Sequence, residues 1–523
     1  MALGTAASRG TGLLRILALG YALGFNRVAD AFNLANTIPN SIYDVVLGGV
    51  VTATFLPVFV DRLATRSPRE AWKAISAVTT LAFLVLFAAT GLLFLAAPLV
   101  VDAFTAMAPA AHGHAAAALA QQRELATSLL RWLSPQLFFY GLIAITTTLL
   151  NLRRRFGAPA WTPVANNVVC VAVLVWMAQV NGHPTLHNLQ VHPTQVLVLG
   201  LGTAAGVAVQ AALLLPSYLR ADLGRVRWRF NLRHEAVRTT ARLGAWTLGF
   251  VVANQVALYV VMALAFHAGG RGPVSAYTYA WVFFQAPYAI VAVSVMNALT
   301  PELAEHHATG DTAGLAARAA GGLRAVGAIV IPATVLVFIL AKPAMALLLG
   351  HGASSAASTA TTAKALAALI LGLPGFAAFQ FAVRMLQAMQ RQREVFYLYL
   401  VQNVMNIALA FAMVSGLGVT GLCLSITISY SACAVGAFAY LVGELGPIGT
   451  RSTWMPLRRV GIASAAMALT TLLASSVSDA LSGPGVLGRI LLALVVGGLT
   501  YLAVIWLLGV RGQRNPRKST PRG

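Results

Sequence analysis

Long apolar runs, each separated from the next by a short polar break, recur from one end of this chain to the other. A helix needs about 20 apolar residues to cross the hydrocarbon core of a bilayer, where no water is present to satisfy loose backbone groups. By that measure the chain offers about fourteen spanning segments. They cover 5–25, 29–60, 72–100, 126–151, 159–180, 194–219, 236–267, 273–304, 318–347, 358–390, 394–415, 418–443, 455–477 and 485–510. Most connections are short, which predicts one all-α polytopic membrane protein without a large soluble domain. Only 10% of the residues are charged, against roughly 25% in soluble domains, so a soluble multidomain protein is excluded.

The 36 Lys and Arg residues against 14 Asp and Glu give a formal charge of +22. On a soluble domain that imbalance would point to nucleic acid. Between apolar spans it points to topology, because Lys and Arg concentrate in cytoplasmic connections. Every second connection is basic. The series runs through Arg62, Arg66, Arg69 and Lys73; Arg153, Arg154 and Arg155; and Arg220, Arg225, Arg227, Arg229 and Arg233. It continues with Arg318 and Arg324, Arg391 and Arg393, then Arg451, Arg458 and Arg459, and ends in a tail with Arg511, Arg514, Arg517, Lys518 and Arg522. Intervening connections such as 181–193 and 415–418 are nearly bare of both. Both termini are therefore expected in the cytoplasm, with no nucleic-acid partner. No cleavable signal pattern opens the chain. Cys170, Cys423 and Cys433 lie in apolar stretches without a CxxC pair and read as small core residues. The Ala-rich stretch 101–125, with His112 and His114, reads as a surface helix lying on the membrane.

Segments two to six and eight to twelve share a loose rhythm of Gly-Pro punctuation and basic exits. That rhythm predicts two related lobes around a central cavity. The expected division is an N-lobe over 1–219 and a C-lobe over 220–443, each of about six spans, followed by 444–523 as two additional helices and the basic cytoplasmic tail.

Ionisable groups at membrane depth are the most informative residues, since each is costly unless it serves a cavity or a partner. Asp30 and Asp44 are the acids that fall well inside expected spans. The cations there are Arg9 and Arg15, with Arg131, Arg242 and Arg384 nearer span ends. Ser8, Gly12 and Arg15 share one helix face, and Arg9 lies about 100° round from Ser8. Guanidinium groups suit bidentate contact with phosphate or carboxylate oxygens. Bland readings compete with these: Arg9 snorkels to the interface, Asp30 pairs with Arg27 or caps the second segment, and Asp44 is an arginine's counter-ion. Pro39 should kink the second segment, and Asn40, Tyr43 and Asp44 then share a face, as a moving part or a helix–helix seam.

Enzyme signatures are weak, with no HExxH, GxSxG or P-loop and no obvious acid/base pair. His183, His187 and His192 share an outer loop and read as solvated rather than as metal ligands. Asn403 and Asn406 could present oxygens to a cation, but a helix seam is favoured. No cofactor and no metal is expected.

The motifs then become recognisable. Ser8, Arg9, Gly12 and Arg15 are followed by A-D-A-F at 29–32, I-P-N at 38–40, and a pattern of Gly49, Phe55, Pro57 and Val58. A second block carries Leu150, Asn151, Arg155, Phe156, Pro159, Ala160, Pro163 and Asn167. Weaker matches are Asn254 and Gln255, the 274–280 run containing Ser275, Pro287, and L-T-P-E-L ahead of Gly310 and Asp311. Together these resemble the MurJ/MviN lipid II flippases of the MOP exporter superfamily over nearly the whole chain.

The resemblance implies fourteen helices in two lobes around a cationic cavity, working by alternating access in the bacterial inner membrane. It implies that the lipid-linked peptidoglycan precursor crosses from the inner to the outer leaflet. Arg9 and Arg15 would contact its pyrophosphate, Ser8, Asp30 and Asn40 would line the cavity, and Tyr43, Asp44, Asn151, Arg155, Ser275 and Gln285 would support it. Membrane lipids and cell-wall synthesis proteins are the implied partners. Departures are visible too. Tyr43 stands where well-known members have an arginine, Trp281 and Val282 where they have an acid–arginine pair, and Gln285 where they have a glutamate. Amides near Asn403 and Asn406 replace the sodium-site acids of some members, which leaves membrane-potential and monovalent-cation coupling both open. The rivals are a flippase for another polyprenyl-diphosphate glycan, a cation-coupled drug exporter, a membrane-embedded polyprenyl-phosphate enzyme, and a non-transporting scaffold.

Overall fold

The structure, a computed structural model, describes residues 2–43, 68–108, 112–153, 155–181, 184–221, 235–268, 272–446, 448, 451–480 and 485–509. Asp44, the 49–58 motif, Arg62, Arg66, Arg154, His183, the basic loop 222–234 and the tail from 510 lie outside them. Among the described residues every regular element is helical. They are α1 (Ala2–Leu23), α2 (Arg27–Tyr43), α3 (Pro68–Leu95), α4 (Ala97–Thr105), α5 (His114–Leu133), α6 (Pro135–Leu152), α7 (Gly157–Asn181), α8 (Leu186–Val191) and α9 (Pro193–Leu219). Next come α10 (Glu235–His267), α11 (Pro273–Pro287), a π-helical turn (Tyr288–Ala292), α12 (Val293–Ala308) and α13 (Thr312–Leu349). The last are α14 (Ala356–Ile370), α15 (Leu373–Ala388), α16 (Gln392–Leu445), α17 (Arg451–Ala480) and α18 (Val486–Leu507).

Among the described residues nine helices are long and apolar enough to cross a membrane, or up to ten if α14 and α15, bent by 48°, form one span. The chain is a multi-pass membrane protein. α1 is outside that set because Arg9 and Arg15 lower its hydropathy, and α2 because its described stretch, Arg27–Tyr43, is only 17 residues long. α16 runs for 54 residues with non-helical backbone at Gly418, whose φ is 56°. Fifty-four helical residues would stretch about 80 Å, far beyond the ~30 Å core of a bilayer, so α16 is two limbs joined at that glycine. A positive φ of this kind suits a residue without a Cβ.

Two expectations change. Segment 273–304 is not one helix: the π-helical turn follows directly on Pro287, whose missing N–H interrupts the ordinary ladder. The 101–125 stretch is not a separate surface helix either. Gly113, at φ 58°, breaks the chain, and the helix starting at His114 continues as one span to Asn151.

The chain groups into two compact units. Unit 1 is Met1–Ala280, Leu348–Ala365 and Gln392–Ser429, and unit 2 is Trp281–Leu347, Leu366–Arg391 and Tyr430–Gly523. In unit 1, α7 packs between α1 and α9, and α2 lies on α5 and α6. In unit 2, α17 and α18 pair closely. The free side of α18 exposes Leu487, Leu491, Val495, Leu499, Leu502 and Trp506, an apolar surface that only hydrocarbon would solvate.

Candidate functional site

The first site is built on α1. Near its start Gly4 lies against α7: a Cβ there would stand 2.9 Å from the Trp161 indole. One and two turns on, Asn167 of α7 reaches across. Its Nδ2 donates to the Ser8 carbonyl at 3.2 Å and to Thr11 Oγ1 at 3.0 Å. Thr11 Oγ1 in turn donates to the Ala7 carbonyl at 2.9 Å. Cys170, a turn further along α7, lies close enough to Arg15 to feel its charge. Gly4 with Trp161, Ser8 with Asn167 and Arg15 with Cys170 progress in the same sense, so α1 and α7 run parallel. A carbonyl oxygen has two lone pairs, so Ser8 can serve its own helix and Asn167 together. The contact fixes both the rotation and the height of α1. With α1 held this way, Ser8 and Arg15 are half-buried and Arg9 is exposed.

The second site joins α2 to α11. Asn26, not Asp30, caps α2, its Oδ1 accepting from the N–H of Val28 at 2.9 Å and of Ala29 at 3.0 Å. Asp30, 2% exposed, reaches instead to residue 275. Its Oδ1 accepts from the Ser275 N–H at 2.8 Å and from Ser275 Oγ at 2.7 Å. Asn33 Nδ2 donates to the same Oγ at 3.0 Å. Ser275 lies in the first turn of α11, where backbone N–H groups lack intrahelical partners and a carboxylate is electrostatically favoured. Gly272 permits the approach: at φ 82°, a Cβ on it would lie 2.7 Å from the Phe25 backbone. The rings of Phe25 and Tyr279 then meet edge to face at 5.0 Å. Asp30 and Ser275, marked separately in the sequence, are thus one buried unit.

The remaining marked residues stand apart from these two clusters. Asn40 turns back on its own helix, Nδ2 donating to the Asn36 carbonyl at 3.0 Å. Tyr43 packs its ring against Tyr140 of α6 at 5.5 Å. Asn151 lies in the last turn of α6, and exposed Arg155 follows the helix with its N–H on the Leu150 carbonyl at 3.0 Å. Gln285 is half-buried on α11.

A third polar cluster lies between α10 and the limbs of α16. Asn403 Nδ2 donates to Asn254 Oδ1 at 2.7 Å and to the Tyr399 carbonyl at 2.8 Å. Ser425 Oγ donates to Asn406 Oδ1 at 2.9 Å. Every group in it is neutral. Among the described residues no set of three or more His, Cys, Asp and Glu side chains could hold a metal ion. Asn33 and the role of Asn167 escaped the sequence reading; an amide inside an apolar run was the available signal.

A family model described as "Lipid II flippase MurJ" matches residues 19–493. The lipid II flippase MurJ of Burkholderia cenocepacia is 28% identical over 377 residues, 71% of this chain and 69% of that protein. A probable lipid II flippase MurJ of Vibrio cholerae is 26% identical over 526 residues, 97% of this chain and 94% of that protein. Among solved structures, a lipid II flippase MurJ in an inward closed conformation is similar with a TM-score of 0.77 at 22% identity, covering 97% of this chain and 98% of that one. An inward-facing multidrug resistance MATE transporter of the MOP superfamily is similar with a TM-score of 0.67 at 14% identity, covering 83% and 94%.

Proposed function

The chain belongs to the MurJ lipid II flippase family, a family of transporters and not of enzymes, and on that premise we propose that it moves lipid II from the inner to the outer leaflet of the bacterial cytoplasmic membrane. The observation that carries this reading is α1, a helix set on α7 by Asn167 and bearing Arg9 and Arg15. A diphosphate leaving the aqueous interface needs cationic compensation, and two guanidinium groups supply it without covalent chemistry. Arg9 and Arg15 hold the pyrophosphate, with Ser8 and Asn40 beside the path. Asp30 and Ser275 set the start of α11. Both termini face the cytoplasm, and lobes over 1–219 and 220–443 alternate access around the cavity. The membrane potential acts on the charged complex with about 2.3 kcal/mol per charge per 100 mV. Proteins of cell-wall synthesis are the expected neighbours.

The test is depletion of the native flippase in a bacterium, complementation with this chain, and measurement of lipid II reached by an enzyme added outside the cell. Wild-type protein is expected to restore access. Failure to restore it sinks the lipid II reading, and full restoration by Arg15→Ala at equal expression sinks the role of Arg15.

A further inference from the structure

α15 is closed on nearly every side. Phe376, Phe379, Phe381, Val383, Met385 and Leu386 are buried, and none of its large apolar side chains is exposed. Its single exposed residue is Arg384, between half-buried Gln380 and Gln387. Those three stand at i, i+4 and i+7, on one face of the helix. A lipid-facing helix has the opposite signature, as the apolar free side of α18 shows. A Gln-Arg-Gln face in hydrocarbon would be costly, so the open side of α15 borders water.

Two arginines close to each other in sequence make the contrast sharper. Arg391, just past the end of α15, is paired: Nη2 donates to Glu444 Oε2 and Nη1 to the Tyr440 hydroxyl, each at 2.7 Å. Arg384 lies about 10 Å deeper along the helix axis. Among the described residues no carboxylate pairs with it, and its one side-chain hydrogen bond, Nη1 to Gln387 Oε1, is long at 3.5 Å. A guanidinium carries five N–H donors, so among the described residues most of its donor capacity is unspent. An aromatic cluster carries the neighbouring Tyr288. Tyr288, in the π-helical turn and within reach of the Arg384 charge, meets Phe376 at 4.8 Å, and Phe376 is braced by Tyr430 at 4.8 Å and Phe284 at 5.3 Å. Single π-helical turns of this kind are frequent at functional sites.

We propose that Arg384, with Tyr288 and Gln387, forms an anion site in unit 2 that takes phosphate oxygens of a membrane lipid on the basic, cytoplasmic side. Its lipid II form, in which the site takes the substrate's diphosphate as it leaves the inner leaflet, rests on the flippase reading above. The guanidinium supplies a bidentate fork and the Tyr288 hydroxyl a neutral donor, the tyrosine ring being held by its aromatic neighbours.

The experiment is native mass spectrometry of the full chain in detergent, offered lipid II, phosphatidylglycerol or phosphate-free undecaprenol. Arg384→Gln is expected to lower lipid II retention roughly tenfold, Arg384→Lys to recover part of it, and undecaprenol to be unaffected. Loss confined to lipid II identifies the substrate as the ligand; equal loss of phosphatidylglycerol identifies a general phospholipid headgroup. Unchanged retention of both phosphate lipids by Arg384→Gln, with an unchanged melting temperature, overturns the site. If wild-type protein holds lipid II no better than phosphatidylglycerol, the flippase reading fails. The phosphatidylglycerol arm then decides Arg384 alone, loss supporting the site and retention overturning it.

Discussion

In unit 1, the region around α1, α2, α7 and α11 and the region around α10 and α16 are both joined by polar side chains between helices. They differ in what those side chains grip. In the first region a side chain of one helix holds the main chain of another: Asn167 the Ser8 carbonyl, Asp30 the Ser275 N–H. In the second, where α10 meets α16 and the limbs of α16 meet each other, side chain meets side chain, as in Asn403 with Asn254, Asn406 with Ser425 and Gln402 with Ser429. A main-chain grip fixes rotation and height together, since the backbone has no rotamers with which to follow. A side-chain pair can re-form after a small slip. The rigid mode lies beside Arg9 and Arg15, and the tolerant mode lies among neutral groups.

The largest effect should come from Asp30. Asp30→Leu removes the acceptor for both the N–H and the hydroxyl of a buried serine, which should cost about 3 kcal/mol. Ser275→Ala should cost less, because the backbone N–H still finds the carboxylate. Thermal melting of the detergent-solubilised chain measures both. If Asp30→Leu is no worse than a change at Asn254, the distinction between the two modes collapses. Asn167→Leu should come next, losing about 1–2 kcal/mol of stability. Its stronger signature is functional. With α1 free to turn, transport should fall by more than tenfold, and cysteines placed along α1 should lose their periodic labelling pattern. A variant that keeps that pattern and its transport removes the positioning role of Asn167.

Much of this architecture was legible in the sequence, and the limit has a physical cause. Alternating basic connections and apolar runs exposed the helical, multi-pass plan, because the bilayer imposes both locally. The break at Gly418 fell between two expected spans for the same reason. Arg9 and Arg15 stood out because charge in an apolar run is expensive. The joint of Asp30 with Ser275 was hidden, since its partners are 245 residues apart and no local pattern encodes their meeting. Asp30 could be read as a cap for its own helix, whereas Asn26 takes that place and frees Asp30 for α11. Asn167 was visible only as one letter of a motif, and its partner is a carbonyl that every residue possesses.

The tolerant mode predicts small penalties. Asn254→Leu should cost about 0.6 kcal/mol, the usual worth of a side-chain hydrogen bond between membrane helices. Asn254→Leu combined with Asn403→Leu should cost no more than the single change, because no unpaired amide is left facing its lost partner. A single Asn254→Leu change as costly as Asn167→Leu would show that α10 and α16 are held as rigidly as α1 and α7.

The smallest effect separates grip from burial. Between α12 and α13, Asp311 also holds a main chain, Oδ1 accepting from the Gly314 N–H at 2.8 Å, while Oδ2 meets His306 Nδ1 at 3.0 Å. Its side chain is 48% exposed. The Gly314 N–H first, and His306 after it, hold the Asp311 carboxyl below the usual carboxylate range. A carboxyl whose pKa is lowered by folding stabilises the fold above its unfolded value, near 4, and loses that contribution as pH falls through the folded value. Asp311→Asn keeps the oxygen on Gly314 but removes the charge. The variant should therefore melt slightly below wild type at neutral pH, with the gap closing as pH falls below about 4. Because water screens this turn, the gap should be far smaller than that for Asp30, although both carboxylates grip an N–H in the first turn of a helix. A gap at Asp311 comparable to that at Asp30 would mean that the grip alone, without burial, carries the rigidity.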